Sequence, residues 1–349
     1  MDLTAVLLRL GAARPHVLLV PVPGAMDVRL AIEAELTHRG WPLATSPADA
    51  DLLVVAGSAG PQLAAVVERT WAAVPAPRAR TEISTPSRAV SALDVAAALL
   101  RNHAHQRAQS SEPHDLATVK EAEHGGEHGG EHGGEHGGHH HHGGGMDMPG
   151  GLPMADLGED RDGLTLDRLH VPLGPVLPDW PAGLVLRVTL QGDVIQQAHA
   201  EVLDQGDQPA AEDPGDSGRD AVRELDALAR LLAVAGWADP AAQARRLRDE
   251  LHAGGPAERV TDRTVALLAQ VRRSRTLRRL VRGVPAGPTD LATLVDRRLA
   301  AAGAAVRGVP GPAPAVVEDL AEMVVGAELA AARLIVAALD PVTGPVRHE

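Results

Sequence analysis

Residues 123–145 constrain the fold more than any other stretch, because they cannot form part of a packed domain. They read EHGG four times in succession and then HHHHGGG. Glycine has more backbone conformations than folding can cheaply restrict, and no apolar side chain is present to offset that entropy. On both sides the sequence returns to Ala, Leu, Val and Arg with helical and strand periods. The pattern therefore predicts two domains joined by a flexible tether.

The same stretch has the composition of a metal chelator. It contains eight of the seventeen His, interleaved with Glu and without Lys or Arg. Imidazole and carboxylate groups are ligands for borderline divalent ions, so Ni²⁺ or Zn²⁺ is expected here. The predicted ligands are His124, His128, His132, His136, His139, His140, His141 and His142.

Two alternatives to a nickel or zinc site stay open. Met146, Met148 and Met154 follow the His run, and thioethers suit Cu(I), although copper is the less favoured metal. The repeat is also compatible with a spacer that binds no metal. Outside the tether, His103 and His105 form an H-x-H pair without a third ligand at a useful spacing, which favours a solvated loop pair.

Composition excludes several kinds of redox site. The chain has no Cys, so it cannot itself supply a disulfide, a thiolate metal site or a cysteinyl iron–sulfur cluster. It also has no Tyr and no Phe, and only four Trp. Any redox chemistry that needs thiolates or a tyrosine is therefore outside its reach.

Charge and hydropathy limit partners and location. The formal net charge of −13 argues against nucleic-acid binding. The Arg-rich residues 272–282 are the exception, and they indicate a solvated or interface surface, with an acidic partner or anionic lipid as the alternative. Residues 1–15 lack the features of a signal peptide, and the apolar residues 323–339 are interrupted by Glu328 and Arg333. A cytoplasmic protein is expected, peripheral to a membrane only through its partners.

Residues 1–102 carry the pattern of a small open α/β sheet. Residues 16–22 and 51–56 are continuous apolar runs of strand length, and a weaker strand is predicted at 80–84. Helical periods cover 27–37, 61–71 and 89–101. The glycine turn at residues 57–61 could present backbone N–H groups to an anion, but a tight turn that needs Gly is the favoured interpretation.

Residues 161–349 are predicted to form a β-hairpin followed mostly by helices, with residues 103–160 as a disordered linker. Leu184, Leu186, Val188 and Leu190 alternate strictly before a turn at residues 191–193. Helices are expected at 220–236, from Asp239-Pro240 to 254, after 261–262, at 289–302 and at 315–339. The overall class is therefore α/β followed by mainly α.

Residues 46–80 carry a resemblance to a known family. They contain S-P-x-x-A-D, a strand that ends in V-x-G, a helix, and P-x-P. This order is similar to the small, cluster-bearing subunit shared by respiratory complex I (NADH-quinone oxidoreductase) and NiFe hydrogenases. The resemblance implies that residues 21–26 occupy the place of the first cluster-binding Cys pair.

A second resemblance covers residues 169–349. Gly174, Pro175, Pro178 and Gly183 match the opening of the large subunit of the same complexes, where G-P-x-H-P precedes a hairpin. The close of the chain is similar to L-D-P-x-x-G-x-V at that subunit's C-terminus. Leu177 stands where complex I has the His beside the quinone headgroup. The chain is shorter than that family and lacks what would hold a NiFe centre or shape a quinone cavity.

Together these features favour a non-catalytic accessory, structural or assembly component of a complex I-like or hydrogenase-like assembly. Its partners would be subunits of that assembly and a divalent metal ion. A nickel, zinc or copper chaperone or store is the alternative, and an active oxidoreductase subunit is less favoured. The two domains are expected to dock through an apolar contact that holds no cofactor.

Overall fold

A computed structural model describes residues 12–110, 156–159, 165–204, 217–309, 315–341 and 343. It has a parallel sheet with helices, followed by an antiparallel sheet and a group of helices, which confirms the predicted fold class. The eight predicted metal ligands of the tether lie outside the described residues. Among the described residues no helix is long and apolar enough to cross a lipid bilayer.

The N-terminal unit is built on a three-stranded parallel sheet. Its strands lie in the order β1-β2-β3, with Val17 opposite Leu52 and Leu52 opposite Ala79. All five residues of the central strand are buried, which explains their unbroken apolar run. The predicted strands and helices are confirmed within a few residues: β1 (Val17–Pro21), α1 (Met26–Arg39), β2 (Leu52–Ala56), α2 (Pro61–Ala73), β3 (Ala79–Ile83) and α3 (Ala89–Arg101).

The expectation of irregular chain from residue 103 onward is wrong for its first turns. Helix α4 spans His103–Ser110, and the Oδ1 atom of Asn102 accepts N–H bonds from Ala104 and His105 at its start. Gln106 is buried and both accepts from and donates to the backbone of Arg78. The N-terminal unit therefore extends to residue 110, because an Asn cap and one amide side chain attach this polar helix to the sheet.

The predicted hairpin is the centre of a larger antiparallel sheet of order β4-β5-β6-β7. Its turn lies at Gly192 and Asp193, as predicted, and Gly192 has φ +63°. Strand β5 was not predicted because its residues 167–170 are all exposed, which weakens the alternation of apolar residues. The four strands are β4 (Asp156–Glu159), β5 (Thr165–Leu173), β6 (Leu184–Gln191) and β7 (Val194–Val202).

Helices and one short pair of strands make up most of the described residues after β7. The alternating Leu184, Leu186, Val188 and Leu190 pack into their shared core. Helices near 220–236, 239–254 and 289–302 are confirmed, and Asp290 caps the last of these by accepting from Thr293 N–H at 2.7 Å. The elements are α5 (Ser217–Val234), α6 (Ala238–His252), α7 (Ala257–Arg273), α8 (Arg275–Val281), β8 (Pro285–Ala286), β9 (Thr289–Asp290), α9 (Leu291–Ala305), α10 (Leu320–Val324) and α11 (Leu329–Leu339).

Two helical predictions need correction. Helix α7 begins at Ala257, before the expected cap at residues 261–262, and the Arg-rich end is a separate helix capped by Ser274, whose Oγ accepts from Leu277 N–H. The expected helix at 315–339 is interrupted between α10 and α11. Gly326 there has φ +82° and donates its N–H to Ile195 O, while Ala327 O accepts from Ile195 N–H. Pairing with the hairpin therefore replaces a turn of helix.

Candidate functional site

Among the described residues, two main contacts join the units, besides the Arg219–Asp27 ion pair, and the first involves the hairpin sheet. We call the set Pro23, Gly183, Val185, Leu203 and Asp204 the hairpin contact. Val185 and Leu203 belong to the core of the N-terminal unit. Gly183 lies so close to Pro23 that a Cβ atom at position 183 would be 2.4 Å from Pro23 Cγ. This side of the contact is apolar and closely packed, as expected.

Asp204 completes the hairpin contact by capping helix α2 of the other unit. Its Oδ1 atom accepts N–H bonds from Gln62 at 2.9 Å and Leu63 at 3.3 Å. Gln62 Oε1 in turn accepts from the Asp204 N–H at 3.4 Å. The N–H groups that meet an anion therefore belong to Gln62 and Leu63, just after the glycine turn at residues 57–61, and the anion is a carboxylate of the same chain. Sequence reasoning could not find this pairing, because 142 residues separate Gln62 from Asp204.

The second contact is a group of buried and half-buried charges, which corrects the expectation of an apolar contact. We call Arg29, Glu33, Asp226, Arg230 and Arg248 the arginine–carboxylate cluster. Asp226 lies 2.6 Å from Arg29, 2.5 Å from Arg248 and 3.1 Å from Arg230. Glu33 bridges Arg29 at 2.7 Å and Arg248 at 2.8 Å. Two carboxylates and three guanidinium groups therefore join α1 to α5 and α6.

Burial and pairing act in opposite directions on these charges. Burial raises the pKa of the Asp226 carboxyl, but Arg29, Arg230 and Arg248 more than offset this and hold its pKa well below the usual range. Burial lowers the pKa of the Arg29 guanidinium, yet Asp226 and Glu33 bring it above its ordinary value. The pKa of Arg248 is raised by the same two carboxylates against the effect of burial. Asp226, Arg29 and Arg248 are thus ionised at neutral pH.

A cavity of about 1160 Å³ opens between the units beside this cluster. The loop of residues 21–26 after β1 lines one wall, with Pro21, Val22 and Met26 among its lining residues. The loop of residues 174–183 between β5 and β6 lines another, and it includes Leu177. Both positions to which the resemblance assigns a redox centre therefore border one space, although about 150 residues separate them in sequence.

The β5–β6 loop is held in place by close contacts. Gly174 has φ +87°, and a Cβ atom there would lie 2.3 Å from Leu184 O. The same carbonyl accepts the Trp180 indole N–H at 2.8 Å. Only glycine fits at this approach, which fixes the path of the chain past Leu177 and Asp179.

Asp179 and Asp340 are two further cavity residues that sequence reasoning missed. Both adopt the left-handed region, with φ of +56° and +45°, which is uncommon for a residue with a Cβ. Asp179 pairs with Arg245 at 2.6 Å and Asp340 with Arg230 at 2.9 Å. Burial raises the pKa of the Asp179 carboxyl, and Arg245 offsets this only in part. The Leu339-Asp340-Pro341 sequence predicted the end of the helix, but nothing in it indicated that Asp340 lines the cavity.

The other sequence candidates lie elsewhere. His103 and His105 are on α4, where His105 Nε2 contacts Gln109, and no group of three His, Asp or Glu suited to a metal occurs among the described residues. Arg272, Arg273, Arg275, Arg278, Arg279 and Arg282 are all exposed on α7, α8 and the residue that follows. Within the described ranges none of these six has a carboxylate partner, so they form an uncompensated basic surface.

Comparison with known proteins adds no family to this geometry. No protein-family model matches the chain, and no curated protein or solved structure is significantly similar to it.

Proposed function

We propose that the chain is a non-catalytic accessory, structural or assembly component of a complex I-like or NiFe-hydrogenase-like assembly. The observation that supports the proposal is the shared cavity. Residues 21–26 and Leu177, identified from two separate resemblances, line the same space between two units of one chain. In the small–large subunit pair the cluster and the quinone or NiFe site also lie beside each other across the subunit contact. The chain would be a single-polypeptide counterpart of that pair.

The chemistry of the lining supports a non-catalytic role. A cysteinyl cluster needs thiolates, and the chain contains none. Leu177 has no hydrogen-bond donor for a quinone carbonyl, and no Tyr is present in the chain to act as its partner. The polar groups beside these positions are arginines and carboxylates, many of them paired with each other. Such a set stabilises the contact between units and transfers no electrons.

A role within an assembly requires surfaces for partners. The uncompensated basic surface of α7 and α8 fits an acidic face of another subunit, by charge complementarity. We place the chain in the cytoplasm, at the membrane only through such subunits and without nucleic acid as a partner. The tether would add a Ni²⁺ or Zn²⁺ site at the eight His given above.

Deletion of the gene tests this proposal. We expect loss of assembled complex I-like or hydrogenase-like enzyme on native gels, with quinone reductase or hydrogenase activity falling in proportion. The full chain should restore both. Asp226→Asn, which disrupts the contact between units, should restore less than the matched control Asp319→Asn at an exposed cavity residue. Unchanged assembly and activity of both enzymes in the deletion strain would refute the proposal.

A metal chaperone is the second candidate, and the His-rich tether favours it. Replacing all eight tether His by Gln keeps the length of the tether and removes the ligands. If this variant restores assembly fully, the metal site is not part of the function. If this variant does not restore assembly but excess Ni²⁺ in the medium does, the chain delivers metal. Calorimetry with Ni²⁺ and Zn²⁺ on the full chain and on this variant shows directly whether the tether binds them.

A further inference from the structure

We propose that the cavity between the units binds an anionic amphiphile, a molecule with an apolar body and one carboxylate, phosphate or sulfonate group. This inference goes beyond the proposed function and does not depend on it. It rests on the apolar walls of the cavity, on the excess of arginine in its lining, and on one buried guanidinium N–H without an acceptor.

The apolar walls come from both units. Leu43 and Val316 line the cavity and are 51% and 47% exposed, although most large apolar side chains of the described residues are buried. Leu177 and Met323 add to the same lining and are only partly buried. When a ligand covers large apolar side chains that line a concave site, the free energy of the system falls because their surface leaves water. A volume of about 1160 Å³ leaves room for a long alkyl chain or a fused ring system.

The charges of the lining favour an anion. Within the described lining, arginines outnumber carboxylates, and every carboxylate except the exposed Asp319 is within 4 Å of an arginine. Arg246 and Arg297, in contrast, have no carboxylate partner in the described part of the chain. The protein as a whole carries a net charge of −13, so this local reversal is not the average property of its surface.

Arg230 supplies a third argument. Its side chain is 18% exposed and lines the cavity, and its Nη2 atom pairs with Asp226 and Asp340. Its Nε atom is buried and has no hydrogen-bond partner. A buried donor without an acceptor destabilises the folded state, so a ligand whose binding turns this N–H toward an acceptor is favoured. The oxygen of a bound carboxylate or phosphate would satisfy this donor.

Displacement of a fluorescent probe tests the proposal on the full chain. The probe is 1-anilinonaphthalene-8-sulfonate, which itself carries an anion on an apolar body. Competitors are dodecyl phosphate, dodecanoate, the neutral dodecanol and inorganic phosphate. We expect the two anionic amphiphiles to displace the probe at micromolar concentration. Dodecanol should be at least about tenfold weaker, because it leaves the arginines unpaired, and phosphate alone should not displace the probe.

Variants locate the site. Arg246→Gln with Arg297→Gln should weaken dodecyl phosphate binding by roughly tenfold and dodecanol binding by less than about twofold. Arg273→Gln with Arg275→Gln removes the same charge from exposed positions outside the lining and should leave both affinities unchanged. Leu43→Ser should weaken all three dodecyl ligands, and circular dichroism checks that each variant is folded.

Three results would overturn the proposal. The first is equal affinity for dodecanol and dodecyl phosphate, which would show that the cavity does not require an anionic group. The second is an equal loss in the two arginine pairs, which would assign the effect to general charge. The third is the absence of displacement by any amphiphile. None of these results bears on the gene-deletion experiment, so the two proposals fail separately.

Discussion

The hairpin contact and the arginine–carboxylate cluster join the same two units by opposite means. The hairpin contact relies on close packing at Gly183 and on one carboxylate that caps a helix. The cluster holds five charged side chains, of which Asp226 and Arg248 are buried and the other three half-buried, and their attraction must offset their loss of hydration. Adding or removing one atom at a packed contact lowers the stability by a modest amount, whereas removing one partner of a buried ion pair leaves an unpaired charge and lowers the stability much more. The two contacts therefore respond differently to substitution, salt and pH.

The largest effect is expected from breaking the cluster at its centre. Asp226→Asn keeps the size of the side chain but leaves Arg29, Arg230 and Arg248 without the carboxylate they share. Because Asp226 and Arg248 are 3% and 2% exposed, we expect a loss of about 3–5 kcal/mol in the free energy of unfolding. Urea denaturation measures this loss.

Asp319→Asn is the matched control, since Asp319 lines the same cavity but is exposed and lacks an ion pair among the described residues. It should change stability by less than about 0.5 kcal/mol. A loss below about 1 kcal/mol for Asp226→Asn would show that water enters the cluster. The effect of Asp226→Asn should also persist at high salt, because buried pairs are screened little.

The hairpin contact is tested by adding one carbon atom. Gly183→Ala places a Cβ 2.4 Å from Pro23 Cγ at a position with φ +68°. Gly192→Ala is the control, because Gly192 has φ +63° with nothing within 4 Å of a Cβ. Both variants bear the strain of the left-handed conformation, about 1 kcal/mol, and only the first adds a clash worth about 1–3 kcal/mol. Equal thermal stabilities of the two variants would show that Pro23 and residue 183 can move apart without loss of stability.

These contacts mark the limit of prediction from the sequence. Strand β2 could be predicted because five consecutive apolar residues of strand length leave few alternatives, and the Gly192 turn because its residues require that conformation. Helix α4 could not, since its stability comes from Gln106 reaching the backbone of Arg78. The Arg29–Asp226 pair spans 197 residues, and nothing local to either residue indicates its partner. Tertiary pairing of common charged residues leaves no periodic signal.

A smaller effect is expected at the cap between the units. Asp204→Ala removes the acceptor for the N–H groups of Gln62 and Leu63, which should cost about 1 kcal/mol. Hydrogen exchange should rise at those two amides. Asp290→Ala removes a similar cap within one unit, at Thr293, and should leave exchange at Gln62 and Leu63 unchanged. Unchanged exchange at these two amides in Asp204→Ala would mean that solvent replaces the carboxylate without loss.

The smallest effect, and one of opposite sign, is expected at Asp179. Because the pKa of its carboxyl is raised in the folded state, the folded protein binds this proton more tightly than the unfolded chain does. Stability therefore falls as the pH rises from the unfolded pKa through the folded pKa, so at neutral pH the ionised Asp179 destabilises the fold. Asp179→Asn removes this destabilising charge. Arg245 then loses its partner, but it is 37% exposed and can be hydrated. We expect the variant to be more stable than the parent at pH 7 by no more than about 1 kcal/mol, with the gain vanishing below about pH 4. Urea denaturation across this pH range measures the gain, and a variant less stable than the parent at pH 7 would show that the Arg245 pair outweighs the burial of Asp179.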